Sequence, residues 1–157
     1  MLQGGLRDAA GQPRAAELGN PPLEFNLPNK RGTVTMARWE DPNSGAGEFF
    51  INLGDSPHLD RTGDSGWALG FTVFGEVVRG LEVAETIAGL PTSVQGGMSM
   101  LTDPVVMESG ALQLTGPRKL GQMRGLQHAW MHLCTRTVRV QQHDTEGHLC
   151  LLAAAHA

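Results

Sequence analysis

Three short β-type segments, each bounded by turn-forming residues, restrict what this chain can fold into. Thr33-Val34-Thr35-Met36-Ala37 alternates with period two, as a half-buried strand does. Glu48-Phe49-Phe50-Ile51-Asn52-Leu53 is a second strand, set off by the turn-like Asp41-Pro42-Asn43-Ser44-Gly45, and Phe71-Thr72-Val73-Phe74-Gly75-Glu76-Val77 is a third. With 21 glycines and 9 prolines in 157 residues, turns are frequent and long helices few. The class implied is mainly β.

Leu81 to Ala88 is the best helix candidate. Leu81, Ala84 and Ala88, with Val83 and Ile87, recur at three- and four-residue spacings, Gly89 stands where a C-terminal cap belongs, and Pro91 prevents continuation. Pro104–Glu108 and Ala111–Leu114 read as a final strand bent at Ser109-Gly110. Before Leu27 the chain shows one short strand at the start and an irregular loop through Gly19-Asn20-Pro21-Pro22. These signals place one organised domain over residues 1–114. The extension 115–157 has no strong period and no clean caps, and is expected to be disordered or irregular; it holds five of the six histidines and both cysteines. There are no internal repeats.

Charge and hydropathy exclude several classes of function. A formal net charge of -4 gives no electrostatic reason to expect nucleic acid or an anionic membrane as partner. No apolar run approaches the roughly 18–20 residues that cross a bilayer. Met1-Leu2-Gln3-Gly4-Gly5 lacks the charged start and apolar centre of a signal peptide, and the compartment stays open. The spacing of Cys134 and Cys150 neither demands nor excludes a disulfide, and no CxxC pair is present.

The order of several motifs carries a family resemblance. Arg31-Gly32-Thr33-Val34-Thr35-Met36-Ala37-Arg38 is similar to the G-T-x-x-M-A-R strand of bacterial-type cyclophilins, the peptidyl-prolyl cis-trans isomerases. Glu48-Phe49-Phe50-Ile51-Asn52 resembles the family's Q-F-F-I-N strand, and Leu59-Asp60 its L-D turn. Val73-Phe74-Gly75-Glu76-Val77-Val78-Arg79-Gly80-Leu81-Glu82-Val83 resembles V-F-G-x-V-x-x-G-x-x-V, and Met1-Leu2-Gln3-Gly4-Gly5 resembles M-x-Q-G-G. The pieces occur in family order from Met1 to about Gln113. The resemblance implies an antiparallel β-barrel, here incomplete: the first strands, the first helix and the strand bearing the catalytic arginine find no counterpart, as in an N-terminally truncated member.

The implied chemistry is rotation about Xaa-Pro bonds, with proline-containing peptides or unfolded protein clients as partners, weak binding of cyclosporin-like ligands, and no cofactor or metal. Phe50 and Gln3 are the implied catalytic residues, Phe50 as floor of the proline pocket and Gln3 as the polar group beside the substrate carbonyl. Met1, Leu59 and Phe71 are implied as walls, with Ala37 and Arg38 offering backbone groups to the peptide. A lone Phe in a strand is ordinarily core packing; the surrounding match is what gives Phe50 to a site. The Arg38 side chain by itself reads as a surface charge. Glu48 replaces the family's glutamine, an amide donor, with an acceptor-only carboxylate. Phe71 stands where many relatives have histidine or tyrosine. His58 reads equally as a site residue and as a solvated turn histidine. With no arginine placed by the match, activity is expected to be weak or absent.

Two rivals come from other classes. A non-enzymatic module would bind proline-containing segments through the same pocket without an arginine. A metal site in the extension would use His128 and His132, four apart, with Cys134, His143, His148 or Cys150, but these spacings fit no familiar zinc pattern. Ser56, His58 and Asp60 lack any nucleophile-elbow context, and no phosphate-binding loop is present.

Overall fold

A computed structural model of the chain describes residues 1–5, 12, 19–24, 27–107, 113–114, 138–142 and 145–153, the last three stretches by their backbone. The expected strands form. β1 (Leu2–Gly4), β2 (Thr33–Met36) and β3 (Phe49–Ile51) are followed by β4 (Val73–Arg79). β3 lies between β1 and β2, antiparallel to both, and β2 pairs antiparallel with β4 through a register shift at Val34/Thr35.

α1 (Leu81–Ala88) occupies the expected span. Its first turn carries Glu82, whose charge suits the positive end of the helix dipole. At the other end the Gly89 amide donates to the Glu85 carbonyl at 3.1 Å, closing the last turn where the sequence places its cap. The helix buries Ala84 and Ile87 against Val34 and Ile51, and Leu2, Phe49, Leu53, Phe74, Val77, Leu81 and Val83 pack around them.

Three features differ from the sequence expectation. A hairpin, β5 (Thr92–Gln95) and β6 (Met98–Leu101), follows the helix directly. Gly96 and Gly97 both take positive φ, +58° and +81°, which a two-residue hairpin turn requires at its centre. The bent final strand is instead two strands, β7 (Val106–Met107) and β8 (Gln113–Leu114), with different partners. The extension contributes β9 (Val138–Gln142) and β10 (Thr145–Ala153), paired antiparallel to each other, and β10 also pairs with β4. The sheet therefore runs β1-β3-β2-β4-β10-β9-β7, with β8 on β10. No ladder joins β1 to β7 among the described residues, so the sheet does not close into a barrel there.

The two faces of β1–β3 are chemically distinct, because side chains alternate along each strand. Leu2, Val34, Phe49, Ile51 and Leu53 face α1 and form the aliphatic core. Gln3, Thr35 and Phe50 are direct cross-strand partners and share the opposite, outer face. That face is covered by a polar network. Thr35 Oγ1 donates to Asn29 Oδ1 at 2.8 Å, and Asn52 Nδ2 donates to Thr33 Oγ1 at 2.9 Å and Thr35 Oγ1 at 3.1 Å. Asn29 Nδ2 in turn donates to the Leu59 carbonyl at 3.2 Å and to Asp60 Oδ1 at 2.9 Å.

Asn29→Ala removes the acceptor of a fully buried hydroxyl and both side-chain ties to the 59–60 turn, leaving the bond from the Asn29 main-chain amide to Asp60 Oδ1 at 2.7 Å. Each buried polar group left unpaired costs about 1–3 kcal/mol, so urea titration of this variant is expected to show a loss of roughly 2–4 kcal/mol. A loss under about 0.5 kcal/mol would mean that the network does not hold the fold.

Candidate functional site

Phe50 is only 3% exposed, yet it stands outside the aliphatic core cluster because its ring lies on the outer face of β3. There it meets Phe71 edge-on, with ring centroids 5.9 Å apart and planes at 72°. Edge-to-face contact brings the positive rim of one ring to the negative face of the other. Phe71 is brought in by the backbone: its amide donates to the Leu59 carbonyl at 3.0 Å, and the same carbonyl accepts from Asn29. Leu59 closes a short 3-10 turn over Pro57–Leu59. Leu59 is thus joined to Phe71, and the Phe71 ring lies against Phe50.

The polar side of the site is built by register. Gln3 pairs directly with Phe50, and its Nε2 donates to Glu48 Oε2 at 3.5 Å, a long contact on the exposed rim. Met1 is exposed two residues before Gln3, on the same side of the chain by alternation. Ala37 is tied to the site through its amide, which donates to the Glu48 carbonyl at 2.8 Å. That amide is therefore engaged, and the group Ala37 retains for a peptide is its carbonyl. His58 is exposed and makes no hydrogen bond among the described residues.

Arg38 departs most from its expected role. It is not a surface charge: it is 8% exposed, and four hydrogen bonds bind its guanidinium to main-chain carbonyls. Nε donates to Gly70 O at 2.8 Å, Nη1 to Trp39 O and Glu40 O at 2.8 and 3.1 Å, and Nη2 to Gly66 O at 2.9 Å. The same group lies 4.9 Å from the Phe71 ring centroid and 5.3 Å from that of Trp67. Burial holds its pKa below the ordinary arginine value, while Asp41 acts in the opposite sense. A buried cation is tolerated because carbonyl dipoles and aromatic faces replace its water.

Trp67 is the neighbour that sequence reasoning missed. It stacks on Phe71 with centroids 6.0 Å apart. Its one sequence signal is an isolated aromatic in a Gly/Ser/Asp-rich turn, Gly63-Asp64-Ser65-Gly66-Trp67. Of the residues weighed as metal ligands, His128, His132, Cys134 and His143 lie outside the described residues, and His148 and Cys150 fall in β10, which is described by backbone.

Comparison with known proteins identifies the family of the chain. The family model for cyclophilin type peptidyl-prolyl cis-trans isomerase/CLD matches residues 1–110. The chain is 36% identical over 115 residues to peptidyl-prolyl cis-trans isomerase cyp18 of Streptomyces antibioticus, a match covering 71% of this chain and 69% of that protein. Against peptidyl-prolyl cis-trans isomerase B of Escherichia coli (strain K12) it is 35% identical over 116 residues, covering 69% and 68%. A third relative, a peptidyl-prolyl cis-trans isomerase of Acinetobacter baylyi, is 36% identical over 102 residues, and the match spans 50% of its length.

The turn that presents Phe71 depends on Gly70, whose φ of +75° and ψ of −164° are open only to glycine. A Cβ there would stand 2.6 Å from the Arg61 amide nitrogen. Gly70→Ala is expected to cost roughly 3 kcal/mol in urea unfolding and to speed exchange of the Phe71 amide. Unchanged stability and exchange would show that the turn does not fix Phe71.

Proposed function

Because the chain belongs to the cyclophilin-type peptidyl-prolyl cis-trans isomerase family, which acts on proline-containing peptides and proteins, we propose that the outer face of β1–β3 is its Xaa-Pro binding site. The observation that carries this reading is the position of Phe50: withdrawn from solvent, set apart from the aliphatic core, edge-on to Phe71 and opposite Gln3 in register.

The reaction explains what such a surface contributes. Turning a peptide bond crosses about 18–20 kcal/mol because amide resonance must be broken. At Xaa-Pro the two isomers differ by only about 0.5–1 kcal/mol, so both are populated and exchange slowly. No bond is made or cleaved. The protein must hold the proline ring, restrain the preceding carbonyl and favour the twisted amide over either planar form.

In this reading Phe50 is the floor of the proline pocket, and Met1, Leu59 and Phe71 are its walls. Gln3 donates to the substrate carbonyl, the Ala37 carbonyl receives a peptide N–H, and Arg38 acts through the turn it holds. His58 borders the Leu59 wall. Glu48, an acceptor beside Gln3, favours a cationic residue next to the proline. A cyclosporin-type cyclic peptide would compete weakly for the same apolar surface. The Arg38 guanidinium is committed to backbone carbonyls, which supports peptide binding with slow catalysis by this chain.

The test measures the purified chain against an Ala-Pro peptide, with affinity from calorimetry and cis/trans exchange from NMR. Binding with at most weakly accelerated exchange is expected, and binding with no acceleration at all would make the chain a proline-binding module. Absence of binding would overturn the site. Phe50→Ala is expected to weaken binding by about tenfold or more, the scale of losing a buried aromatic contact.

A further inference from the structure

Trp67 is 51% exposed, and a large exposed aromatic ring is ordinarily free to move with its loop. This one is not. Its turn is a 3-10 segment over Gly66–Leu69, closed by Ala68 N–H to Ser65 O at 3.1 Å and Gly70 N–H to Trp67 O at 3.1 Å. The Thr62 and Gly63 amides both donate to the Ala68 carbonyl, at 2.8 and 2.9 Å, and Arg38 takes the carbonyls on either side of the tryptophan, those of Gly66 and Gly70. One face of the indole is turned to Phe71 and to the guanidinium, and the rest meets solvent. The chain immobilises an exposed apolar surface at the edge of the pocket, continuous with it through Phe71.

Centroid spacings of 5.9 Å from Phe50 to Phe71 and 6.0 Å from Phe71 to Trp67 make a run of three rings. A peptide whose proline sits on Phe50 advances about 3.3 Å per extended residue. A flanking aromatic side chain one or two residues along therefore has the reach to arrive at the third ring. We propose that Trp67 is a specificity-determining wall of the peptide site, selecting Xaa-Pro peptides with an aromatic side chain flanking the proline, and that Arg38 is the positioning residue that holds it there. The inference rests on the outer face of β1–β3 being the peptide site.

Two peptides separate this from the underlying reading: Ala-Phe-Pro-Phe and Ala-Ala-Pro-Ala, titrated by calorimetry into the parent chain and Trp67→Ala. The parent is expected to prefer the Phe peptide about tenfold, the scale of one desolvated aromatic contact, and Trp67→Ala to lose that preference. Trp67→Phe restores most of it. Equal affinities in the parent, or a preference that survives Trp67→Ala, overturn the proposal and leave the site standing. Binding of neither peptide to the parent overturns the site itself and this proposal with it. Should Trp67→Ala fail to fold, a chain with Trp67 as its only tryptophan (Trp39→Phe, Trp130→Phe) reads the same contact. Its emission is expected to shift to the blue at saturating Phe peptide, and an unmoved spectrum overturns the proposal. For Arg38 the comparison is Arg38→Lys with Arg38→Met. Lys keeps the charge but not the fork of donors, so both are expected to lose the Phe-peptide preference; preference retained by Arg38→Met overturns the positioning role.

Discussion

The hydrogen bonds of Asn29 hold two distant parts of the chain against the outer face of the sheet. Its carbonyl accepts from Thr35 on β2, and its amide donates to Leu59 O and Asp60 Oδ1, thirty or more residues away in sequence. Asn29, Thr35 and Asn52 are 2%, 0% and 0% exposed, as withdrawn from water as any aliphatic residue of the core. Buried polar groups of this kind add little net stability when satisfied and cost much when broken, so they act mainly to select one arrangement of loops. Here the arrangement selected fixes the Leu59 carbonyl, which in turn holds Phe71, whose ring lies against Phe50. One atom lies outside the scheme: Asn52 Oδ1 is buried without a partner among the described residues. The Asn52 amide already serves Thr33, Thr35 and Asn29, and turning the side chain over would trade one orphan for several.

From that network the division of labour between the two faces follows. The aliphatic face needs only volume and apolarity, which α1 supplies from Ala84 and Ile87. The outer face is the proposed peptide site, and its residues come from positions one step out of phase with the core. This is why β2 and α1 were legible from the sequence alone. Both obey a single period, two for Thr33–Met36 and 3.6 for Leu81–Ala88, and both are punctuated by glycine. The β5–β6 hairpin was not legible, because Thr92–Gln95 is exposed throughout and leaves no alternation to read; its only signal was the Gly96-Gly97 pair. β9 and β10 were hidden for a different reason. β10 is held by β4 and β9 by β7, both distant in sequence, and long-range strand pairing leaves no local trace.

The site shows the same split. Gln3, Glu48, Phe50, Leu59 and Phe71 were singled out through short motifs, and they are linked pairwise: Gln3 to Glu48 and to Phe50, Phe50 to Phe71, and Phe71 to Leu59. Arg38 was found but misread. An arginine after an apolar strand ordinarily faces water, and nothing local reveals that four carbonyls from residues 39, 40, 66 and 70 converge on it. Trp67 escaped because its importance lies in the stack on Phe71, a contact set by the Gly70 turn and not by any spacing around Trp67 itself.

The commitments of Arg38 also bear on how binding and catalysis are related in such a site. Holding a proline ring and a neighbouring carbonyl lowers the energy of bound planar and twisted amides alike, which strengthens binding without speeding rotation. Acceleration needs an interaction present only in the twisted form, such as a donor directed at the pyramidal proline nitrogen. Four of the five N–H groups of Arg38 are given to the main chain, so the guanidinium works on the architecture of the turn and not as a free donor. Affinity and rate therefore rest on different atoms. In the proposed site the aromatic surface of Phe50 and Phe71 would set which segments are held, and the supply of one further donor how fast their bonds turn. A fold arranged in this way can keep its peptide preference while its catalytic rate varies independently.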